Sequence, residues 1–297
     1  MTDYDLIIIG AGPAGLSAGI YAARYKLKTL IIGQIPGGLA TTAHSVWNFP
    51  SYKDISGMEL MQKIVEQIKN LNIEIKMENV IDVENGFNVI TKKSKYSCKK
   101  LIIATGSERQ KLGVDKEKEL TGKGISYCAT CDAGFYQDKV AGVVGGGNAA
   151  LTAALLLSKF AKKVFVFYRK DKFVKAEQMW VDEVEKNNKI EVIFNSNISE
   201  LIGEDKLTGV KLDDNNFIDL NGLFIEIGSS PSIKLAGKLG VKTNSKSILV
   251  DRNQKTNVNG VFAAGDVTDN PLRQIITACS QGAVAGYNAY LELEKEK

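Results

Sequence analysis

Cys128 and Cys131 stand with two residues between them in the run Cys128-Ala129-Thr130-Cys131-Asp132. A C-x-x-C spacing lets two sulfurs meet with little backbone strain, so the pair can cycle between dithiol and disulfide. A helix start beside the pair would lower a thiol pKa and make the attacking thiolate available. Zinc is the competing use of such a pair. Tetrahedral zinc needs two further ligands, however, and Cys98, Cys279 and His44 are scattered without a partner pair, so no metal is expected. Cys98 precedes a strand-like run at Leu101, and Cys279 lies among small residues of a C-terminal helix. Both read as packed, inert thiols. Four cysteines in 297 residues do not make a disulfide scaffold, and in a cytosolic chain the pattern favours a redox or metal pair over structural bridges.

Two glycine loops must be positioned around this pair. Asp5 to Gly15 reads D-L-I-I-I-G-A-G-P-A-G, a buried strand running into Gly10-x-Gly12-x-x-Gly15. An Ala-rich, helix-prone segment follows from Leu16 to Tyr25, and Thr29 to Ile32 is a second strand. That context raises the glycine pattern above a chance match. Gly10 permits the tight turn, Gly12 lets the backbone reach a pyrophosphate, and Gly15 lets helix and strand pack closely, with the helix N-terminus favouring the phosphate charge. Gly33 stands where an acid would hold a ribose hydroxyl, which fits a tightly held, multiply anchored cofactor. The pattern recurs at Val140 to Ala150, V-A-G-V-V-G-G-G-N-A-A, followed by a helix to about Phe160 and a strand from Val164 to Tyr168. Two further strand-and-turn segments belong with the first loop: Leu101 to Gly106, and Gly260 to Asp266 with a helix from Gln274 to about Leu293. The expected architecture is α/β, with two Rossmann-like, three-layer dinucleotide-binding domains and the second inserted in the first. Its boundaries are expected at 1–112 and 244–297 for one domain and 113–243 for the other.

Composition bounds the rest. The apolar share of 44% and charged share of 24% are those of a soluble globular protein. No apolar run is long enough for a bilayer, and the early strand after Met1 leaves no room for a signal peptide, so a cytoplasmic protein is expected. Net charge is +4, and of the 38 basic side chains only Arg24, Arg109, Arg169, Arg252 and Arg273 are arginine. The excess reads as a lysine-rich solvated surface or as mild steering of an acidic partner. No basic patch with interleaved aromatics points to nucleic acid.

The chain resembles the low-molecular-weight thioredoxin reductase family over essentially its whole length. Five motifs carry the likeness in order: G-A-G-P-A-G at 10–15, A-T-G at 104–106, C-A-T-C-D at 128–132, G-G-G-N-A-A at 145–150, and G-V-F-A-A-G-D-V-T-D-N-P-L-R-Q at 260–274. The resemblance implies a homodimer with FAD in the first domain, NADPH classically in the second, and thioredoxin as partner. It implies that Cys131 faces the flavin, that Cys128 attacks the thioredoxin disulfide, and that Asp132 protonates the leaving thiolate. It also implies that Gly10, Gly12, Pro13, Ala14 and Gly15 hold the FAD pyrophosphate. Gly37, Gly38 and Asn48 would lie along the flavin, Asp266 would hold the ribityl chain, and Arg273-Gln274 would open a helix at the flavin ring. Gly33, Ala104, Thr105, Gly106, Gly265 and Ile275 complete the expected FAD contacts. Leu39 replaces the family's Gln after the double glycine, and Trp47 replaces what is more often an acid. Trp47 reads either as packing or as a partner-facing ring. His44 reads either as a loop residue or as a group near the flavin.

The electron donor is less plain. Members using NADPH show H-R-R-x-x-x-R after the second strand, a clamp for the 2′-phosphate. Here Tyr168-Arg169-Lys170-Asp171-Lys172-Phe173-Val174 stands instead, with Lys175 adjacent, and the usual acidic pair after the glycine loop is Thr152-Ala153. A lost hydrogen bond to a charged group costs about 1.5–3 kcal/mol, or roughly tenfold to a hundredfold in affinity. NADPH is therefore a doubtful cofactor. Two donors compete: NAD(P)H held weakly, or ferredoxin, as in the ferredoxin-dependent flavin thioredoxin reductases, with ferredoxin slightly favoured. A non-catalytic flavin-binding redox sensor is the alternative of another class, and the acid beside the C-x-x-C counts against it.

Overall fold

Both strand–glycine–helix units are present in the computed structural model, which describes residues 3–84, 86–244 and 246–297. The chain forms two compact units, one of Met1–Thr41, Val46–Glu108 and Ser230–Lys297, the other of Thr42–Ser45 and Arg109–Ser229.

In the first unit β1 (Tyr4–Ile9) is an aliphatic run that reads as a central parallel strand, covered on both faces. It pairs in parallel with β2 (Thr29–Ile32) and β6 (Lys95–Ile103). β3 (Glu74–Lys76) extends the sheet beyond β2, and β17 (Val261–Ala263) joins β6 in parallel. The pair β4 (Val80–Glu84) and β5 (Asn88–Thr91) continues it antiparallel from the start of β6. Period-two alternation splits the β1 side chains between two cores. Leu6 and Ile8 pack with α1 (Pro13–Arg24), α2 (Gly57–Asn70) and α8 (Ile275–Lys295). Ile7 and Ile9 pack on the other face with Val83, Val89 and two residues of α7 (Lys234–Lys238), Leu235 and Ala236. The contact of α1 with α8 runs backbone to backbone: a Cβ on Gly282 would lie 2.0 Å from the Ala14 carbonyl oxygen, and one on Gly286 2.7 Å from that of Ala18.

The second unit has a five-stranded parallel sheet in the order β11 (Ile190–Phe194), β10 (Lys163–Tyr168), β9 (Val140–Val144), β15 (Gly222–Ile225), β8 (Ile125–Ser126). Helix α5 (Asn148–Ser158) buries an Ala/Leu face against Ala141, Val143 and Phe224. Helix α6 (Gln178–Glu185) closes over α5 through Trp180, Val181 and Val184. On the opposite face an antiparallel sheet of β12 (Ile198–Ile202), β13 (Gly209–Leu212) and β14 (Phe217–Asp219) packs on Val144, Phe167 and Leu223. Two short helices, α3 (Glu117–Leu120) and α4 (Ala129–Asp132), flank β8.

The chain crosses between units through β7 (Ser107–Arg109) and β16 (Ser229–Pro231), which pair with each other. The boundaries near the expected 112 and 243 fall at 108/109 and 229/230, and Thr42–Ser45 also belongs to the second unit. Residues 230–243 join the first unit because Leu235, Ala236 and Val241 are buried in its core, whereas Leu112 and Val114 pack with Leu120 and Ile125 of the second. Cys98 also differs from expectation. β6 begins at Lys95, so Cys98 lies inside the strand, opposite Tyr4. Among the described residues no helix is long and apolar enough to cross a membrane, and no cluster of three or more His, Cys, Asp or Glu could hold a metal ion.

Candidate functional site

Cys128 and Cys131 form a disulfide across the first turn of α4, with Cα atoms 5.3 Å apart. Cys128 is the N-cap, and the Cys131 amide donates to its Sγ at 3.2 Å. An amide aimed at sulfur favours thiolate over thiol once the pair is reduced. Cys131 is exposed, while Cys128 and Asp132 are half-buried. Asp132 is brought to the pair by a residue outside the C-A-T-C-D motif. Buried Ser126, at the end of β8, donates to the Asp132 carboxylate at 2.6 Å and accepts from the Cys128 amide at 3.0 Å. Burial, and then the Asp132 charge, raises the pKa of Tyr136, so the carboxylate's field reaches into the unit.

A second polar anchor was also invisible in the sequence. Buried Glu117 accepts the amides of Leu112 and Gly113 at 2.8 and 2.7 Å and a short hydrogen bond from the Tyr127 hydroxyl, next to Cys128. Tyr127 is pushed well above the ordinary tyrosine pKa, by burial first and then by Glu117. No spacing rule marks a lone Glu on a one-turn helix as a clamp.

The first glycine loop collects most of the expected dinucleotide residues. Gly10 adopts φ +115°, and a Cβ there would lie 2.0 Å from the Ala104 carbonyl oxygen, which keeps the A-T-G turn against the loop. Gly37 donates to the Ala11 carbonyl at 2.7 Å, and Gly38 packs on Gly12. Gly33 packs on Ala11, and Gly265 on Ala14. Thr105 donates to the Ser232 carbonyl at 2.9 Å, fixing the turn that ends in Gly106. Gly12 is the N-cap of α1 with Pro13 as the first helical residue, and no side chain caps the helix. Its first-turn amides are the donors a pyrophosphate would need. Asp266 lies beside Ser107, at 3.4 Å; its pKa is raised by burial, against the opposing pull of Arg273. Arg273 itself donates to Ser247 at 3.1 Å. Asn48 donates to Gln274 at 3.1 Å, and Gln274 is the N-cap of α8, directly before Ile275. Glycines at the close approaches, free amides of a helix start and a half-buried carboxylate form a donor set that fits FAD. Gln281, unmarked in the sequence, is buried on α8 and accepts from the Gly265 amide at 2.6 Å.

The second loop is differently furnished. Tyr168 is buried at the end of β10 with its ring across Gly146, and Phe173 stacks on it with centroids 5.5 Å apart. Arg109 makes a two-pronged pair with Glu226 at 2.8 and 2.9 Å. Burial raises the Glu226 pKa, and the guanidinium opposes this. His44 Nε2 lies 3.4 Å from Lys159 Nζ, and Trp47 is exposed.

The model of the pyridine nucleotide-disulphide oxidoreductases matches residues 4–282. The chain belongs to that family. Within it, the chain is 39% identical over 99% of its length, and 95% of the relative's, to a thioredoxin reductase of Listeria monocytogenes. The thioredoxin reductase structure from Lactococcus lactis is similar at a TM-score of 0.93 and 34% identity, covering 99% of this chain and 100% of that one. A ferredoxin-flavin thioredoxin reductase from Clostridium acetobutylicum is similar at a TM-score of 0.54 and 35% identity, covering 100% of each. These likenesses make the chain an oxidoreductase acting on a sulfur group, with two dinucleotide-binding domains.

Proposed function

We propose that the chain is a cytoplasmic, homodimeric, FAD-dependent thioredoxin reductase that takes its electrons from a ferredoxin-type iron–sulfur protein. The observation that carries the dithiol half is the Cys128–Cys131 disulfide tied through Ser126 to Asp132, inside a chain of this family. FAD, when bound, supplies the electron pair that opens the disulfide. The residues gathered around Gly10–Gly15, Gly33, Gly37–Gly38, Ala104–Gly106 and Gly265–Asp266 would hold it, with Asn48 and Arg273–Ile275 toward the ring. The Cys128 thiolate then attacks the thioredoxin disulfide. One thioredoxin thiolate leaves and takes a proton from Asp132. Cys131 next attacks the Cys128 sulfur, releases the second thioredoxin thiol and restores the internal disulfide.

For the donor, the support is the altered clamp at Tyr168, Lys170 and Val174. A plant-type ferredoxin at about −400 mV against thioredoxin at about −270 mV makes the two-electron transfer downhill by about 6 kcal/mol. The second reading, an NAD(P)H-dependent enzyme with weakened 2′-phosphate recognition, is favoured by Gly147, where a Cβ would meet only open space, and by the adjacent Lys175.

Anaerobic titration with NADPH, NADH and reduced ferredoxin, followed at the flavin's visible band, tests the donor. Rapid bleaching by substoichiometric NADPH overturns the ferredoxin assignment. Cys128→Ser and Cys131→Ser should each abolish thioredoxin reduction, and turnover surviving in either one overturns the dithiol path, whereas a wild type without thioredoxin-dependent turnover leaves the sensor. Asp132→Asn should slow turnover by about a hundredfold or more, as loss of a general acid does.

A further inference from the structure

We propose that the second dinucleotide fold is closed to pyridine nucleotides by its own side chains, with Tyr168 and Phe173 covering the adenosine end of its crevice and the Glu226–Arg109 pair occupying the other. This deepens the donor half of the proposed function and rests on the second unit being a dinucleotide fold.

The two glycine loops supply an internal comparison. The Gly10 amide donates to the Ile32 carbonyl at 2.7 Å, and the Gly145 amide to the Phe167 carbonyl at 3.0 Å. Gly33 and Tyr168, each the next residue, therefore hold equivalent places at the end of the second strand. Likewise the Ala104 amide donates to Ile9 at 2.7 Å and the Glu226 amide to Val144 at 2.9 Å, which makes Ala104 and Glu226 equivalent beyond the neighbouring strand. A Cβ on Gly10 would strike the Ala104 carbonyl oxygen at 2.0 Å, and one on Gly145 that of Glu226 at 2.2 Å. The backbones correspond, and the side chains do not. At these two places the first loop presents nothing larger than a methyl group. The second presents a phenol and a carboxylate.

In a dinucleotide fold the ligand lies outside the carboxyl ends of the strands, and its adenosine ribose is read at the end of the second strand. Tyr168 occupies that place. Three consecutive atoms of its ring lie 2.3, 2.4 and 2.5 Å from where a Gly146 Cβ would be, so the ring lies face-on against the loop. Phe173 is nearly parallel to it at 22°, and Phe194 meets Phe173 edge-on at 5.2 Å. Tyr168 keeps only 8% of its surface exposed, so it offers no open face on which an adenine could stack. At the other end Arg109 spends Nη1 on Glu226 and Nη2 on the Thr42 hydroxyl at 2.7 Å. A nucleotide entering there would have to break a largely buried charge pair as well as part the rings. Removing one partner of such a pair is costly because the other charge stays behind.

Calorimetric titration of the FAD-loaded protein with NADP⁺ tests this without turnover. Wild type should bind NADP⁺ weakly, and Tyr168→Gly/Phe173→Ala, which opens the adenosine end as Gly33 opens the first loop and leaves the Glu226–Arg109 pair in place, should bind at least about tenfold tighter. If that variant loses its flavin or fold, Phe173→Ala alone uncovers one face of Tyr168 and should tighten binding about threefold. Low-micromolar binding by wild type overturns the proposal, as does a smaller gain in whichever variant stays folded. Thioredoxin reduction with reduced ferredoxin is measured in parallel. Its absence would count against the ferredoxin donor and leave the NADP⁺ result standing.

Discussion

The four thiols are sorted by their surroundings. Burial pushes the Cys98 thiol up to about 12 and the Cys279 thiol to about 11, while Cys128 keeps an amide on its sulfur. At pH 8 the two raised thiols hold only about 0.01–0.1% thiolate. After reduction of the disulfide, iodoacetamide at pH 8 should therefore label Cys128 and Cys131 at least about a hundredfold faster than the other two. Because a raised pKa leaves the thiolate fraction still climbing, each unit of pH up to about 11 should speed Cys279 roughly tenfold and narrow the gap. Peptide mass spectrometry reads this directly, and Cys279 labelling early at pH 8 would overturn its assignment as inert. The Cys128–Cys131 disulfide was legible because reactive residue types stand close together in the chain. Ser126, Glu117 and Gln281 were not legible, since each is an ordinary polar residue whose meaning lies in a buried partner. Along the sequence Tyr168 marks only a lost basic contact; that its ring covers Gly146 depends on strand pairing, which spacing along one strand cannot show.

The elements were easier to anticipate than their limits. Strand, glycine turn and helix follow from apolar period and the needs of a tight turn, and β2 falls where expected. The return to the first unit near residue 230 was missed because α7 is a five-residue helix with too short a pattern to show which core it joins. Helix pairing was also hidden, although its tolerance is now testable. Gly282→Ala forces a Cβ into the Ala14 carbonyl, so α1 must move together with the amides of its first turn. Overpacking of this kind costs about 1–3 kcal/mol and should lower the melting temperature and loosen flavin retention. Gly237→Ala in α7, with no atom within 4 Å of the new Cβ, is the control and should be neutral or gain up to about 1 kcal/mol. A Gly282→Ala protein as stable as the Gly237→Ala control would mean that α1 and α8 tolerate the wider spacing.

At the scale of the whole chain, the +4 charge bears on the proposed iron–sulfur donor. If an acidic iron–sulfur protein is steered to this surface, kcat/KM for reduced ferredoxin should fall several-fold between about 20 mM and about 0.3 M salt, as the screening length drops from about 20 to about 6 Å. A flat salt response in stopped-flow traces would remove steering from the account. Two interleaved folds were readable from the repeated glycine loops, but the order in which they can be completed follows only from the sheet. Strand β6 needs β17 along one edge, and α1 needs α8 against its back, whereas the second unit has all its strands and helices by Ser229. On the ribosome, then, the inner fold is finished before the outer one that was started first. At about 5–20 residues per second, the stretch from Val261 to Lys297 takes roughly 2–7 s to emerge. Until that stretch has emerged, β6 lacks the β17 edge and α1 lacks the helix it packs against backbone to backbone.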